Sequence, residues 1–116
     1  MQKRILITKE FTFDSAHQLD WHGGKCKNLH GHTYKLQVTI SGKLTKEGVV
    51  MDFGDLKKIV NQKIIEKLDH QYLNKIIENP TAENMVIWIW NQLKGDFNLN
   101  TIKLWETPTS YVTYRG

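Results

Sequence analysis

From Tyr34 to Ser41 the chain alternates with a period of two: Tyr34, Leu36, Val38 and Ile40 face one way, and Lys35, Gln37, Thr39 and Ser41 the other. Such a strand buries one face and wets the other, which demands a sheet covered on a single side. A looser apolar stretch, Ile5 to Phe13, reads as a strand before it. Two more follow near the end, about Thr101 to Thr107 and Tyr111 to Arg115, joined around Pro108-Thr109-Ser110. Two helical segments supply the cover. Asp52 is a good N-cap, Asp55 puts negative charge in the first turn, and Phe53, Leu56, Ile59, Val60, Ile64 and Leu68 recur at helical spacing. Thr81 caps a second helix after Pro80; it carries Met85, Val86, Trp88, Ile89 and Leu93 to about Lys94, with Gly95 as its stop. The order ββααββ predicts an α+β sandwich, a four-stranded antiparallel sheet with both helices on one face. The second face and both sheet edges stay open, and open edges invite pairing with other chains.

A chain of 116 residues with 40% hydrophobic and 24% charged residues has the size and balance of one globular domain, here residues 1–116. The longest apolar run, Met85 to Trp90, is far too short to cross a bilayer. The N-terminus has no signal peptide's hydrophobic stretch or cleavage site, so a cytosolic protein is expected. The net charge of +4 suits an anionic small molecule as well as a nucleic acid. The lysines are scattered, with no basic block and no nucleic-acid motif, so nucleic acid is not the expected partner. One cysteine, Cys26, excludes an intrachain disulfide.

The first two strands flank a polar, glycine-containing loop, Asp14 to Gly31, in and beside which four of the five histidines lie. A loop that long in a small domain is usually functional or disordered. His30-Gly31-His32 enters the second strand, and residues two apart in an extended chain point to the same side. His17 ends the first strand, so pairing the two strands brings a third imidazole to the same place. Three imidazoles without a fourth protein ligand describe a catalytic zinc site with an open position. A side chain at position 31 would crowd the opposite face or the backbone. His22 reads as solvent-exposed or as supporting a ligand from outside.

Cys26 admits three readings: a fourth ligand that closes the site, an inert loop thiol, or a general base or nucleophile activated by Lys25, Lys27 and the metal. Asp69-His70 ends the first helix. The pair could relay protons if the helix has already stopped there; otherwise a positive His70 simply complements the helix dipole. Spacing alone favours the simpler of these. Glu106 shares a face with Ile102 and Leu104, so it either points into an apolar environment, where it needs a bidentate donor partner, or lies past the end of that face in solvent.

These residues fall in a pattern. Phe13-Asp14-Ser15-Ala16-His17, Cys26-Lys27-Asn28-Leu29-His30-Gly31-His32, Leu68-Asp69-His70, Asn79-Pro80-Thr81 and Trp105-Glu106-Thr107 resemble the 6-pyruvoyl-tetrahydropterin synthase superfamily. The short gap between Cys26 and His30 is similar to its bacterial 6-carboxy-5,6,7,8-tetrahydropterin synthase branch. The resemblance implies the tunnelling fold and a homohexamer of two stacked trimers, with active sites at subunit interfaces. It implies a zinc-dependent carbon–carbon lyase that converts 7,8-dihydroneopterin triphosphate to 6-carboxytetrahydropterin, acetaldehyde and triphosphate, on the route to 7-deazapurines such as queuosine. In that scheme His17, His30 and His32 hold zinc, Cys26 takes a proton, Asp69 and His70 return one, Glu106 grips the pterin edge, and Thr81 binds pterin or caps its helix. Pro108 departs from the family pattern and bears on the turn after Glu106.

Overall fold

The computed structural model describes residues 4–116, so the first three residues of the expected 1–116 domain lie outside the described part. A long hairpin dominates it. Strands β1 (Arg4–His17) and β2 (His30–Lys43) pair antiparallel from Arg4↔Lys43 to His17↔His30. Fourteen residues per strand at about 3.3 Å each account for a molecule 53 Å long and only 24 by 23 Å across. The expected strand alternation is present: Tyr34, Leu36, Val38 and Ile40 are buried, while Lys35, Gln37 and Thr39 on the other face remain half-buried.

Helix α1 (Phe53–Val60) begins where Asp52 accepts the Gly54 N–H at 2.6 Å. It widens through a π-helical turn, Asn61–Ile65, and closes with one further turn, Glu66–Leu68. Helix α2 (Ala82–Leu93) is capped by Thr81, whose hydroxyl accepts the Asn84 N–H at 3.1 Å. Strands β4 (Leu99–Thr107) and β5 (Ser110–Tyr114) complete the antiparallel part. Both helices pack on one sheet face: Leu56, Val60, Ile64, Leu68, Met85, Ile89 and Leu93 share one core with Phe13, Tyr34, Leu36, Ile102 and Leu104. No helix among the described residues is long and apolar enough to cross a membrane.

Four expectations need correction. The sheet has five strands, in the order β3-β1-β2-β4-β5, because Gln71–Tyr72 forms a short β3 parallel to β1 at Ser15 and Ala16. Two residues are too few to carry a readable pattern. The loop between the first strands is shorter than Asp14 to Gly31, because backbone pairing continues through polar residues to His17 and resumes at His30. Gly95 does not end α2 through a left-handed turn; its φ is not positive, and Lys94 caps the helix in right-handed geometry. At Gly31 a Cβ would meet only the Ser15 carbonyl, at the ordinary distance of 3.4 Å, so crowding is not what a glycine relieves there.

Candidate active site

The hairpin's last rung makes a candidate metal centre. His17 and His30 face each other across β1 and β2, and His32 lies two residues further along the same side of β2. All three point to the core face, as Tyr34 does, so their rings gather over the Phe13–Tyr34 stack at the end of the sheet. One ring nitrogen from each lies within 4.8 Å of the other two.

Hydrogen bonds fix which nitrogen each ring offers. His17 Nδ1 contacts the Pro80 carbonyl at 2.8 Å, and His30 Nδ1 contacts the Asn28 carbonyl at 2.7 Å. A carbonyl only accepts, so Nδ1 is the donor in both rings and the neutral ring keeps its lone pair on Nε2. Those two Nε2 atoms stand 2.9 Å apart, an arrangement that a shared cation satisfies and a pair of lone pairs does not. His32 Nε2 is buried with no hydrogen-bond partner among the described residues. Burial, opposed by Glu106 and reinforced by the other two imidazoles, pulls the His32 pKa below its usual value, which keeps the ring neutral. An orphaned buried nitrogen carries a penalty unless something binds it. Three convergent imidazole nitrogens suit one shared ion, which His17, His30 and His32 would hold. The Pro80 and Asn28 carbonyls that orient the rings are the supports such ligands need. Sequence reasoning missed both, since a backbone carbonyl has no residue signature.

Cys26 is outside this cluster. It sits half-buried on a short 3-10 turn, Lys25–Lys27, and its carbonyl accepts the Leu19 N–H at 2.9 Å. The histidine group does not include its sulfur. His22 is also apart, its Nδ1 accepting the Gly24 N–H at 2.9 Å.

Asp69 and His70 do come together. The helix stops at Leu68, Asp69 is extended, and His70 adopts a left-handed φ of 56°. Released from the helix, the two side chains meet with His70 Nδ1 2.9 Å from Asp69 Oδ2. Strand β1 holds this corner: the Asp14 N–H donates to Asp69 Oδ1 at 2.9 Å, His70 N–H donates to the Asp14 carbonyl at 2.6 Å, and the Ser15 hydroxyl donates to the Leu68 carbonyl. The Asp14 N–H, then His70, hold the Asp69 carboxyl below its usual pKa. The Asp69 hydrogen bond raises that of His70. The signs are opposite. The pair's contribution through His70 is complete below pH 6.5, the ordinary imidazole value, and disappears as pH climbs through the raised one. The contribution through Asp69 is present above the ordinary carboxylate pKa and is lost as pH falls through the lowered one. In an Asp69→Asn variant the His70 titration, followed by imidazole proton NMR, moves down toward about 6.5; an unmoved titration would show that the carboxylate does not act on the ring.

Two clefts flank Gly31-His32-Thr33. One, of about 550 Å³, runs along β1 and β3 and is bordered by Asp14, His32 and His70. The other, of about 620 Å³, is bordered by His32, Lys35, Trp105 and Glu106. Gly31, His32 and Thr33 border both. Glu106 is half-buried, with Oε1 3.7 Å from His32 Nε2, beyond hydrogen-bonding range. Register shifts between Trp105 and Thr107 against β5 put Glu106 in a β-bulge, a distortion that re-aims a side chain. The turn through Pro108 and Thr109 follows at once. Thr81 is seen as a helix cap, with its neighbour Pro80 holding His17.

Known proteins fit this geometry. The family model described as 6-pyruvoyl tetrahydropterin synthase matches residues 6–116. The 6-carboxy-5,6,7,8-tetrahydropterin synthase of Haemophilus influenzae is 44% identical, over 94% of this chain and 97% of that protein. The dihydroneopterin monophosphate aldolase of Pyrococcus furiosus is 42% identical over 91% of each. Among solved structures, the 6-pyruvoyl tetrahydropterin synthase of Caenorhabditis elegans superposes with a TM-score of 0.88 at 28% identity, covering 99% of this chain and 97% of that one. With a matching family model, relatives aligned along nearly their whole length and a shared tunnelling fold, the chain belongs to the 6-pyruvoyl tetrahydropterin synthase family.

Proposed function

We propose that this chain is a zinc-dependent carbon–carbon lyase that converts 7,8-dihydroneopterin triphosphate to 6-carboxy-5,6,7,8-tetrahydropterin, acetaldehyde and triphosphate, in 7-deazapurine (queuosine) synthesis. The observation that carries the reading is the orphaned His32 Nε2 beside two opposed imidazole lone pairs, on the wall shared by the two clefts. The near-full-length likeness to the Haemophilus influenzae protein supports the choice of reaction.

His17, His30 and His32 hold the metal. A bound zinc would hold the substrate's side-chain hydroxyls and supply Lewis-acid polarisation of the carbonyl that forms from them, making the neighbouring C–H more acidic. The Cys26 thiolate takes that proton. His70, whose protonated form Asp69 favours, returns one from the cleft along β1 and β3 and assists loss of triphosphate and cleavage of the carbon–carbon bond. Glu106 accepts two parallel N–H bonds from the pterin's amino-pyrimidinone edge, and Thr81 caps its helix beside Pro80, which orients His17. The residues act within a single domain, 1–116, in the cytosol. The subunits assemble as a homohexamer: β3 covers only Ser15 and Ala16 of β1, and exposed Ile5, Leu44, Val49 and Phe53 border one hollow at the far end of the hairpin.

The test is product analysis. Zinc-loaded protein given dihydroneopterin triphosphate should release acetaldehyde and triphosphate in equal amounts. Triphosphate with a pyruvoyl product and no acetaldehyde would replace this reading with 6-pyruvoyltetrahydropterin formation. Parallel incubation with the monophosphate is warranted by the Pyrococcus furiosus likeness; a clear preference for it would overturn the triphosphate assignment. No turnover of any of these would leave a non-catalytic zinc or pterin module.

A further inference from the structure

Strand β1 runs out of partners just after its zinc-site histidine. Pairing with β2 ends at His17↔His30, and pairing with β3 ends at Ala16↔Tyr72. The peptide groups of Gln18 would therefore be left without a ladder, and half-buried backbone donors and acceptors need partners. The chain after β3 turns into a short 3-10 stretch, Leu73–Lys75, and cannot continue the ladder with its backbone. The side chain of Asn74 does so instead. Its Oδ1 accepts the Gln18 N–H at 3.0 Å and its Nδ2 donates to the Gln18 carbonyl at 2.8 Å. A carboxamide has the donor and acceptor of a peptide unit, so it adds one rung to the sheet.

That rung bears on Cys26. The next residue, Leu19, is buried and donates its N–H to the Cys26 carbonyl at 2.9 Å. Asn74 is thus linked to the backbone of Cys26 through two consecutive residues. At the other end of its own segment, four residues earlier, stands His70. We propose that Asn74 is a positioning residue of the active site. The stretch from Asp69 to Asn74 sets the acid–base pair at its start and, through the Asn74–Gln18 rung, the Cys26 turn at its end. One short piece of chain thereby spaces the two proton-handling groups. A second tether acts on the same loop, where the Trp21 indole N–H donates to Asn79 Oδ1 at 2.6 Å. It restrains the loop's outer part and leaves Gln18 to Asn74.

The inference rests on Cys26 being the proton acceptor proposed above, and the experiment keeps the two separable. Zinc-loaded wild type, Asn74→Ala and Asn74→Asp are compared for triphosphate release, zinc content, unfolding midpoint and the rate at which iodoacetamide alkylates Cys26. In Asn74→Ala, kcat should fall about tenfold or more with zinc retained and with a smaller change in KM, as expected for a displaced catalytic group. The alkylation rate should change severalfold. Asn74→Asp keeps an acceptor for the Gln18 N–H and should fall between the two. A merely structural amide would lower the unfolding midpoint while the folded protein kept wild-type kcat and alkylation rate, and that result overturns the proposal. If Asn74→Ala does not fold, the same rates in Asn74→Asp decide, with unchanged values counting against it. Turnover retained in Cys26→Ala would instead remove the role given to the sulfur, while a changed alkylation rate in the Asn74 variants would still support the tether.

Discussion

Cys26→Ala should lower triphosphate release and acetaldehyde formation by about 10²–10⁴-fold, the usual contribution of a positioned general base, while the protein stays folded and keeps one zinc per chain. The metal half of that expectation follows from the structure: the ligand cluster is made by the three imidazoles alone, and the Cys26 sulfur is not part of it. Its half-buried position on a short turn suits a group that must meet a substrate. Metal analysis and steady-state kinetics on the same sample check both halves. Zinc lost with the thiol would mean that the sulfur is a ligand and the centre a closed, structural one. Turnover kept with zinc intact would mean that another group abstracts the proton.

The second large effect is on the metal itself. Zinc supplied at about a thousand times its dissociation constant should stabilise the wild-type fold by about 4 kcal/mol through binding to the native state alone. His32→Ala should abolish that increment along with turnover. The direction follows from the arrangement of the rings, where His17 and His30 present two Nε2 atoms to each other at 2.9 Å and His32 Nε2 has no hydrogen-bond partner among the described residues. Truncating His32 removes a ligand and an unsatisfied buried nitrogen together. The metal-free variant should therefore be no less stable than the metal-free wild type, even though the zinc-loaded comparison goes strongly the other way. Thermal unfolding with chelator and with added zinc measures both. An equal zinc-dependent gain in the variant would exclude His32 as a ligand.

What could be read from the residues was whatever has a period or a spacing. The alternation from Tyr34 to Ile40 placed β2, and the two capped apolar stretches placed both helices. The convergence of His17, His30 and His32 was legible because strand pairing and a two-residue interval turn a sequence pattern into a direction in space. The misses have physical causes. Pairing near the site continues through Asp14, Ser15, Gly31 and Thr33, which carry no apolar signal, because the backbone alone makes those bonds. The bulge at Glu106 and the two-residue β3 are set by register and leave no compositional trace. The Asp69–His70 pair turned on where the helix stops, and propensity places such boundaries only within a few residues.

The widened turn at Asn61–Ile65 did have a signal. Leu56, Val60, Ile64 and Leu68 are each fully buried at a strict interval of four. Three such steps on a regular helix, with about 3.6 residues per turn, would drift about a third of the way round its axis. A π turn unwinds the chain and absorbs much of that drift, which keeps all four on the sheet and delivers Asp69 to strand β1.

The opposition of His17 to His30 on the hairpin's final rung has a consequence for how the chain reaches its native state. Sliding one strand by a single position would send its apolar side chains to the wrong surface, and it would also carry His17 out of reach of the other two rings. Burial and a bound ion would therefore select the same alignment by unrelated chemistry, so an ion held there would penalise the misaligned hairpin.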